Sequence, residues 1–334
     1  MEVHEHLFSG YLKAYALEVE KIENVEDGWV ALTDRGAKRI IYCPDKELFQ
    51  WSHTWRENLV RRGFRYVERY LATKEDEHWI EDRIGIYALS DYWPPMTQWP
   101  EDREIRLKGY ESFGQILASI HADSCLVDYR GRYRAEGTIG PEKFTNAYQW
   151  LQTIMKEKKE GVRWIHNLPH VTERVQKAEE LYLASKARGD TQRLSFAFVQ
   201  CSQLVYWEGE WYVTGLHNPV LGPLHEDTVS LLEQIFQAEN GQADALHAFL
   251  GGYTSVREWP EAEWKYVSAL LCYPGRLLQQ MLAILGGYRA EEDDFVQRQF
   301  KLQMEREKIL HEIALWNEQR GRSVNGKTGK TPSV

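Results

Sequence analysis

The chain has 334 residues, 43% of them apolar and 27% charged, which is typical of a globular protein with a large buried core. Its formal net charge of -9 argues against a general nucleic-acid or anionic-membrane role, because binding to phosphates requires clustered lysine and arginine side chains. We therefore expect no nucleic-acid partner. No apolar run approaches the length of a membrane span, so we expect no membrane insertion either.

The N-terminal residues show no basic region followed by an apolar run, so we expect cytoplasmic synthesis without a signal peptide. Four cysteines lie far apart without CxxC spacing: Cys43, Cys125, Cys201 and Cys272. This spacing favours reduced, buried thiols over a disulfide framework or a zinc site.

The first 92 residues predict a small antiparallel sheet with one helix. The alternating runs WVALTD and AKRIIYC predict strands, and RYLATK, EHWIED and IGIYALSDYW predict three more. Between them, Leu48, Trp51, Trp55 and Leu59 recur at helical spacing and predict a helix over 45–62, with Arg56 on its solvated face. The prolines of WPPMTQWP then predict a hinge at 93–100.

Residues 101–319 predict a larger, mainly helical lobe. After a helix in GYESFGQILASIHADS, helical patterns follow at 142–158, 170–187, 225–239, 260–271, 274–286 and 291–318. A strand hairpin around the EGE turn, at about 194–216, interrupts them. The sequence therefore predicts an α+β fold with two lobes.

The tail from 320 to 334 is rich in Gly, Lys, Ser and Thr and is predicted to be disordered. Within it, Gly321 to Thr328 match the P-loop pattern GxxxxGKT. A P-loop requires a buried strand before it and a helix after it, and only six residues follow Thr328. We interpret the match as accidental.

The order of these elements resembles the protein-kinase-like fold in its aminoglycoside phosphotransferase and choline kinase form. The blocks LTDRGAKRIIYC, KELFQWSHTWRENLVRRGF, YALSDYW and YESFGQILASIHADS resemble the spore-coat kinase-like family of CotS type, in particular its YutH-like branch. The resemblance spans about residues 10 to 315. It implies a role in the spore coat or its assembly, with coat or coat-assembly proteins as partners.

Active relatives of this fold carry a phosphate-binding lysine on the third strand, an HxDxxxxN catalytic segment and a later metal-binding aspartate. Aligned without gaps, this chain has apolar or neutral residues at all of these positions: Ile41 for the lysine, Phe196 for the histidine, Phe198 for the catalytic aspartate, Gln203 for the asparagine and Gly215 for the metal-binding aspartate. No aspartate occurs between Asp190 and Asp227, so a small shift of register restores none.

These replacements predict a pseudokinase with no catalytic residue, no metal and no cofactor, because magnesium requires oxygen ligands that usually include a carboxylate. Strand alternation places Arg39, and not Lys38, on the face of Ile41. Arg39 is therefore a possible cleft group, as are His121, which matches the histidine of the family's LAxxH pattern, and His217. Asp227 matches an acid of the family that we expect to brace a neighbouring loop.

Two features keep other interpretations open. His217, His225, Glu226 and Asp227 could form a metal site, although acids before TVSLLEQIF suit the first turn of a helix better. Trp207, Trp211 and Tyr212 predict either a sugar- or partner-binding surface or ordinary hairpin packing.

Two alternative functions remain. One is an ATP- and magnesium-dependent small-molecule kinase that recruits displaced groups such as Glu208, Glu210, His217 or Asp227. The other is a nucleotide-binding switch without turnover. The sequence gives no basis for predicting an oligomeric state.

Overall fold

The computed structural model describes residues 8, 10–25, 28–63, 65–94, 99–122, 136–157, 166–185, 201–216, 222–286 and 293–327. The chain divides into two compact units: Met1–Asp102 with Ser202–Pro219, and Arg103–Cys201 with Val220–Val334. The first contains the large sheet and the second is helical, which agrees with the predicted α+β class. The hairpin, however, belongs to the sheet unit and not to the helical unit as predicted, and the boundary follows Asp102.

The sheet has five antiparallel strands in the order β1-β2-β3-β5-β4. They are β1 (Val19–Val25), β2 (Gly28–Thr33), β3 (Gly36–Cys43), β4 (Ile80–Glu81) and β5 (Ile86–Asp91). The predicted strand RYLATK is reduced to an isolated bridge between Tyr70 and Ser90, and EHWIED pairs only at β4.

Helix α1 (Lys46–Arg61) begins after Asp45, whose side-chain Oδ1 accepts a hydrogen bond from Leu48 N at 3.0 Å. Such an N-cap satisfies a backbone donor that the first turn leaves unpaired. One face of the sheet packs with Phe49 of α1 in a cluster of Ile41, Cys43, Phe49, Tyr70, Ile86 and Ala88. The other face packs against Phe8, Leu12 and Tyr15.

The hairpin consists of β6 (Leu204–Trp207) and β7 (Glu210–Val213). Its two turn residues, Glu208 and Gly209, have φ angles of 51° and 89°, which match the twist of a tight hairpin. Strand β7 also pairs with the chain before Tyr70: Glu68 N donates to Val213 O at 3.1 Å, and Val213 N donates to Tyr66 O at 2.9 Å. These bonds place the hairpin in the sheet unit.

The helical unit contains α2 (Arg103–Ala122), α3 (Pro141–Lys156), α4 (Leu168–Ser185), α5 (Glu226–Ala238), α6 (Ala243–Val256), α7 (Glu261–Cys272), α8 (Gly275–Leu285) and α9 (Asp293–Lys327). The predicted helices are all present, and α6 was missed because its Gly-Gly pair and β-branched end have low helix propensity. Within the described ranges, no helix is both long and apolar enough to cross a membrane.

Helix α9 continues to Lys327 and so replaces the first part of the predicted disordered tail. Trp316 lies 6.0 Å from Trp264 of α7, and the guanidinium of Arg320 lies 5.5 Å from the Trp316 ring, so packing continues past the predicted end at 318. The P-loop pattern from Gly321 to Lys327 therefore lies at the end of a helix and not between a strand and a helix. Thr328 lies outside the described residues.

Helices α2 and α6 approach each other closely at two glycines. A Cβ at Gly114 would lie 2.1 Å from Phe249 O, and a Cβ at Gly252 would lie 2.0 Å from Glu111 O. Gly252, one of the two glycines that weaken the helical prediction for α6, thus permits its contact with α2.

We expect Gly114→Ala and Gly252→Ala each to lower the free energy of unfolding by about 1–3 kcal/mol, because the added methyl group meets backbone that must move. Urea denaturation of the full chain measures the change. Gly251→Ala is the matched control: its Cβ meets nothing within 4 Å, so the higher helix propensity of alanine should leave stability unchanged or raised by up to about 1 kcal/mol. Equal losses at Gly251 and Gly252 would contradict the close contact.

Candidate functional site

Ile41, at the position that the resemblance assigns to the phosphate-binding lysine, lies in an apolar environment. It faces Ala88 across the β3–β5 pair and is only 6% exposed, among Phe49, Tyr70 and Ile86. An isoleucine has no charge to offer a phosphate. A lysine here would place an ammonium group among apolar side chains, which is costly without a partner.

The two cations that precede Ile41 on β3 have other contacts. Arg39 pairs with Ser90 of β5, and its guanidinium lies 5.6 Å from the centre of the Tyr92 ring. Lys38 is 7% exposed, and its Nζ forms an ion pair with Asp91 Oδ1 at 2.6 Å. Alternation along β3 puts Arg39, and not Lys38, on the face of Ile41.

Gln203 and Gly215, at the positions assigned to the two metal ligands, contact each other directly. Thr214 N donates to Gln203 O at 2.9 Å, and Gln203 Nε2 donates to the carbonyl oxygens of Thr214 and Gly215 at 3.3 and 3.4 Å. Gly215 has a φ of 76°, and a Cβ there would lie 2.8 Å from Gln203 Nε2. The glutamine amide therefore fills the space that the side chain of an aspartate at 215 would enter.

A buried carboxylate contacts the backbone at this point. Glu68 is 1% exposed; its Oε2 accepts from Gly215 N at 2.9 Å, and its Oε1 accepts from the hydroxyl of Ser90. Sequence reasoning missed Glu68. The available signal was strand alternation, which places it on the same face as the buried Tyr70, two residues later.

Helix α1 reaches the same region through two polar side chains. Ser52 Oγ donates to Leu216 O at 3.1 Å. Arg56, predicted to be solvated, is instead 1% exposed: its guanidinium lies 3.9 Å from the Tyr70 ring centre, and its Nη1 donates to Glu68 O at 3.3 Å. Arg56 can be buried because the Tyr70 ring and the Glu68 carbonyl, both outside its own helix, contact its guanidinium.

In the helical unit, His121 and Asp227 are bonded to each other. His121 Nε2 lies 3.1 Å from Asp227 Oδ2, and His121 Nδ1 lies 2.8 Å from the hydroxyl oxygen of Tyr253. Asp227 Oδ1 accepts from Thr228 N at 2.7 Å. Burial raises the pKa of Asp227, but the neighbouring His121, His225 and Thr228 N–H lower it more, so the net shift is downward. Because His121 lies in α2, Asp227 in α5 and Tyr253 in α6, these hydrogen bonds connect the three helices.

The other groups of the possible metal site have protein partners as well. His225 Nε2 lies 2.8 Å from Glu263 Oε2, and Arg257 donates to both carboxylate oxygens of Glu263 at 2.6 Å. Glu226 accepts from both the N–H and the hydroxyl of Thr138 at 2.6 Å. Within the part of the chain that the structure describes, no three His, Cys, Asp or Glu side chains are grouped to hold a metal ion.

Three of the predicted site residues, Phe196, Phe198 and His217, lie outside the described residues, as does Cys125. The other three cysteines are buried free thiols, as the sequence predicts. Burial raises the pKa of the Cys201 thiol to about 12, which makes it a poor nucleophile.

No family model matches the chain, and no curated protein matches it. Solved structures match over almost its whole length. An aminoglycoside phosphotransferase from Alicyclobacillus acidocaldarius has a TM-score of 0.69 and 14% identity, over 93% of this chain and 95% of that chain. A spectinomycin phosphotransferase in complex with ADP and spectinomycin has a TM-score of 0.58 and 13% identity, over 92% and 98%.

A choline/ethanolamine kinase family protein from Mesorhizobium loti has a TM-score of 0.51 and 12% identity, over 94% of this chain and 100% of that chain. The chain thus has the protein-kinase-like fold of the aminoglycoside phosphotransferase and choline kinase type. These structures support the wider fold, and the spore-coat branch stays a prediction from the sequence blocks.

We expect Gly215→Ala to destabilise the chain more than Gly209→Ala. Both positions have positive φ, which costs an alanine about 1–2 kcal/mol, but only Gly215 has a neighbour within 4 Å of its Cβ. The Gln203 amide must then leave the two carbonyl oxygens, at a further cost of about 1 kcal/mol. Urea denaturation measures both variants.

The excess cost at Gly215 should disappear in a Gln203→Ala background, because no amide remains to be displaced. A Gly215→Ala loss that is the same in both backgrounds would contradict the proposed contact.

The pH dependence of stability should report on His225. Burial lowers its folded-state pKa to about 4. Between about pH 6.5 and pH 4 the unfolded chain binds more protons at His225 than the folded chain does. The contribution of His225 to the free energy of unfolding is therefore complete above about pH 6.5 and is lost as the pH falls towards 4. The loss from pH 7 to pH 5 is about 2 kcal/mol.

His225→Asn removes the titrating group and keeps a residue suited to the left-handed φ of 79° at this helix start. Urea denaturation at pH 7 and pH 5 should therefore show a smaller decrease in stability for the variant than for the wild type. Identical decreases would contradict the assignment to His225.

Proposed function

We propose that this chain is a non-catalytic, kinase-like protein that acts through contacts with other proteins. The observation that carries the proposal is the contact between Gln203 and Gly215, which occupies the positions assigned to the two metal ligands. Magnesium in phosphoryl transfer usually binds one or two carboxylates together with the substrate phosphates. Gly215 has no carboxylate, and the amide nitrogen of Gln203 donates to backbone carbonyls.

The nearby carboxylate does not replace the missing ligand. Glu68 is almost fully buried, and its two oxygens accept hydrogen bonds from Ser90 and Gly215. Asp227, the acid retained in the helical unit, is fully buried and bonded to His121 and Thr228. The residues at the assigned positions therefore do not fit a magnesium–nucleotide complex.

The apolar environment of Ile41 supports the same proposal. A phosphate-binding lysine in this fold neutralises developing negative charge, and Ile41 offers none. The spore coat, with coat or coat-assembly proteins as partners, is the setting that the sequence resemblance predicts for such a scaffold. We retain it as part of the proposal.

A second candidate is a small-molecule kinase. The observation that favours it is the shared fold with structures described as aminoglycoside phosphotransferase, spectinomycin phosphotransferase and choline/ethanolamine kinase family protein. This candidate requires displaced acids. Of those described, Glu208 and Glu210 are exposed at the hairpin turn, and Asp227 is buried.

We expect isothermal titration of the full chain with ATP or ADP to give no binding heat that depends on magnesium, because carboxylate and lysine are missing at the assigned positions. We also expect no ADP release with choline, spectinomycin or an aminoglycoside as acceptor. Magnesium-dependent binding without ADP release would replace the proposal by a nucleotide-binding switch. ADP release that depends on an acceptor would establish the kinase.

A further inference from the structure

The hairpin carries aromatic side chains on two faces with different surroundings. On one face, Trp211 is 5% exposed and packs with Tyr206 at 5.1 Å and Trp99 at 5.8 Å between ring centres. On the other face, Tyr212 stacks with Trp93 at 4.7 Å, and Tyr66 meets its edge at 5.9 Å. The aromatic run noted in the sequence thus divides into a buried half and an accessible half.

Trp207 belongs to the accessible half. In the hairpin register it faces Glu210, and Val205 faces Tyr212, so alternation puts Trp207 and Tyr212 on one side. Trp207 is 43% exposed and Tyr66 is 39% exposed. We call Tyr66, Trp93, Trp207 and Tyr212 the aromatic face.

Acidic side chains surround the aromatic face. Glu208 and Glu210 are exposed at the hairpin turn, and neither forms an ion pair among the described residues. Asp91 is half exposed and bonded to Lys38. Glu210 lies opposite Trp207 in the hairpin register and Glu208 is the next residue along the turn, so both acids lie beside the aromatic face. Burial, followed by the charges of Glu210 and Glu208, raises the pKa of Tyr212.

The two cations of β3 near the face are engaged elsewhere, whereas Arg65, next to Tyr66, is exposed. Lys38 forms its ion pair with Asp91, and Arg39 lies against the Tyr92 ring. Exposed rings beside unpaired carboxylates attract cations in two ways: the face of each ring attracts positive charge, and the carboxylates add Coulomb attraction. A guanidinium suits both, because it stacks on a ring and donates to a carboxylate.

We propose that the aromatic face and its acids bind an arginine-rich, basic segment of a partner protein. Charge complementarity selects this occupant, since the chain as a whole carries a net charge of -9 and the acids at the hairpin turn add to that field. The stacked rings are already in place, so binding requires little ordering of side chains. This inference rests on the proposed function, for which it specifies the chemistry of the partner protein. Binding of such a segment can be measured independently of nucleotide binding.

The test is fluorescence anisotropy with the full chain and a labelled peptide of alternating arginine and serine. Matched peptides carry lysine or glutamate in place of arginine. We expect the arginine peptide to bind best, the lysine peptide less well and the glutamate peptide not at all. Affinity should fall as salt rises from about 50 to about 300 mM, because the acids are exposed and screened.

Trp207→Ala and Tyr66→Ala should each weaken binding about fivefold, whereas Trp207→Phe and Tyr66→Phe should retain most of it, because an aromatic ring remains. The double variant Glu208→Gln, Glu210→Gln should weaken binding and flatten its salt dependence. The charge-matched control Glu18→Gln, Glu20→Gln lies at the exposed start of β1 and should bind as the wild type does.

Several results would overturn the proposal: no arginine-peptide binding up to about 1 mM, equal binding of the arginine and glutamate peptides, or equal losses for the test and control pairs. Binding of a neutral sugar without binding of the arginine peptide would assign the face to carbohydrate instead. Failure here leaves the magnesium–ATP titration unchanged, so the two proposals are distinguishable.

Discussion

The organisation of the sheet unit depends on the buried carboxylate of Glu68. A carboxylate taken out of water is stable only when hydrogen bonds replace its hydration. Its oxygens accept from Ser90 of β5 and from Gly215 N after β7, while the Glu68 backbone pairs with β7 itself. The carboxylate thereby connects the end of β7 to β5, while the hairpin itself brings Gly215 near Gln203, because Thr214 N donates to Gln203 O directly beyond the Leu204–Val213 pair.

A buried polar cluster occupies the helical unit as well. His121 and Asp227, with Tyr253, connect three helices that are far apart in sequence. Replacing both members of a buried hydrogen-bonded pair by apolar groups of the same shape is often nearly neutral, whereas removing one member leaves the other buried and unsatisfied. The cluster therefore need not add to the stability of the fold. Its hydrogen bonds are satisfied only in one arrangement of α2, α5 and α6, and in this way it specifies how the three helices pack. Asp227 thus has hydrogen-bond partners on both of its carboxylate oxygens.

Local pattern was enough to predict most of the elements, because their periodicity depends on residues that are close in sequence: α1 begins after its capping aspartate, and the β2–β3 pair follows its alternation. Helix α6 was missed because Gly252, which lowers its helix propensity, serves a contact with α2 that propensity cannot reveal. Arg56 and Glu68 were missed for a similar reason. Whether a charged side chain is buried depends on partners elsewhere in the chain, and no single window contains them.

Gly215 and Ile41, at positions that the resemblance assigns to a metal ligand and to the phosphate-binding lysine, are both part of the packing of the sheet unit. An aspartate at 215 requires a φ that L-residues rarely adopt and displacement of the Gln203 amide from two carbonyl oxygens. A lysine at 41 requires an ammonium group within the cluster that joins α1 to the sheet. Gly215→Asp and Ile41→Lys would therefore each destabilise the sheet unit in the absence of a bound metal or phosphate.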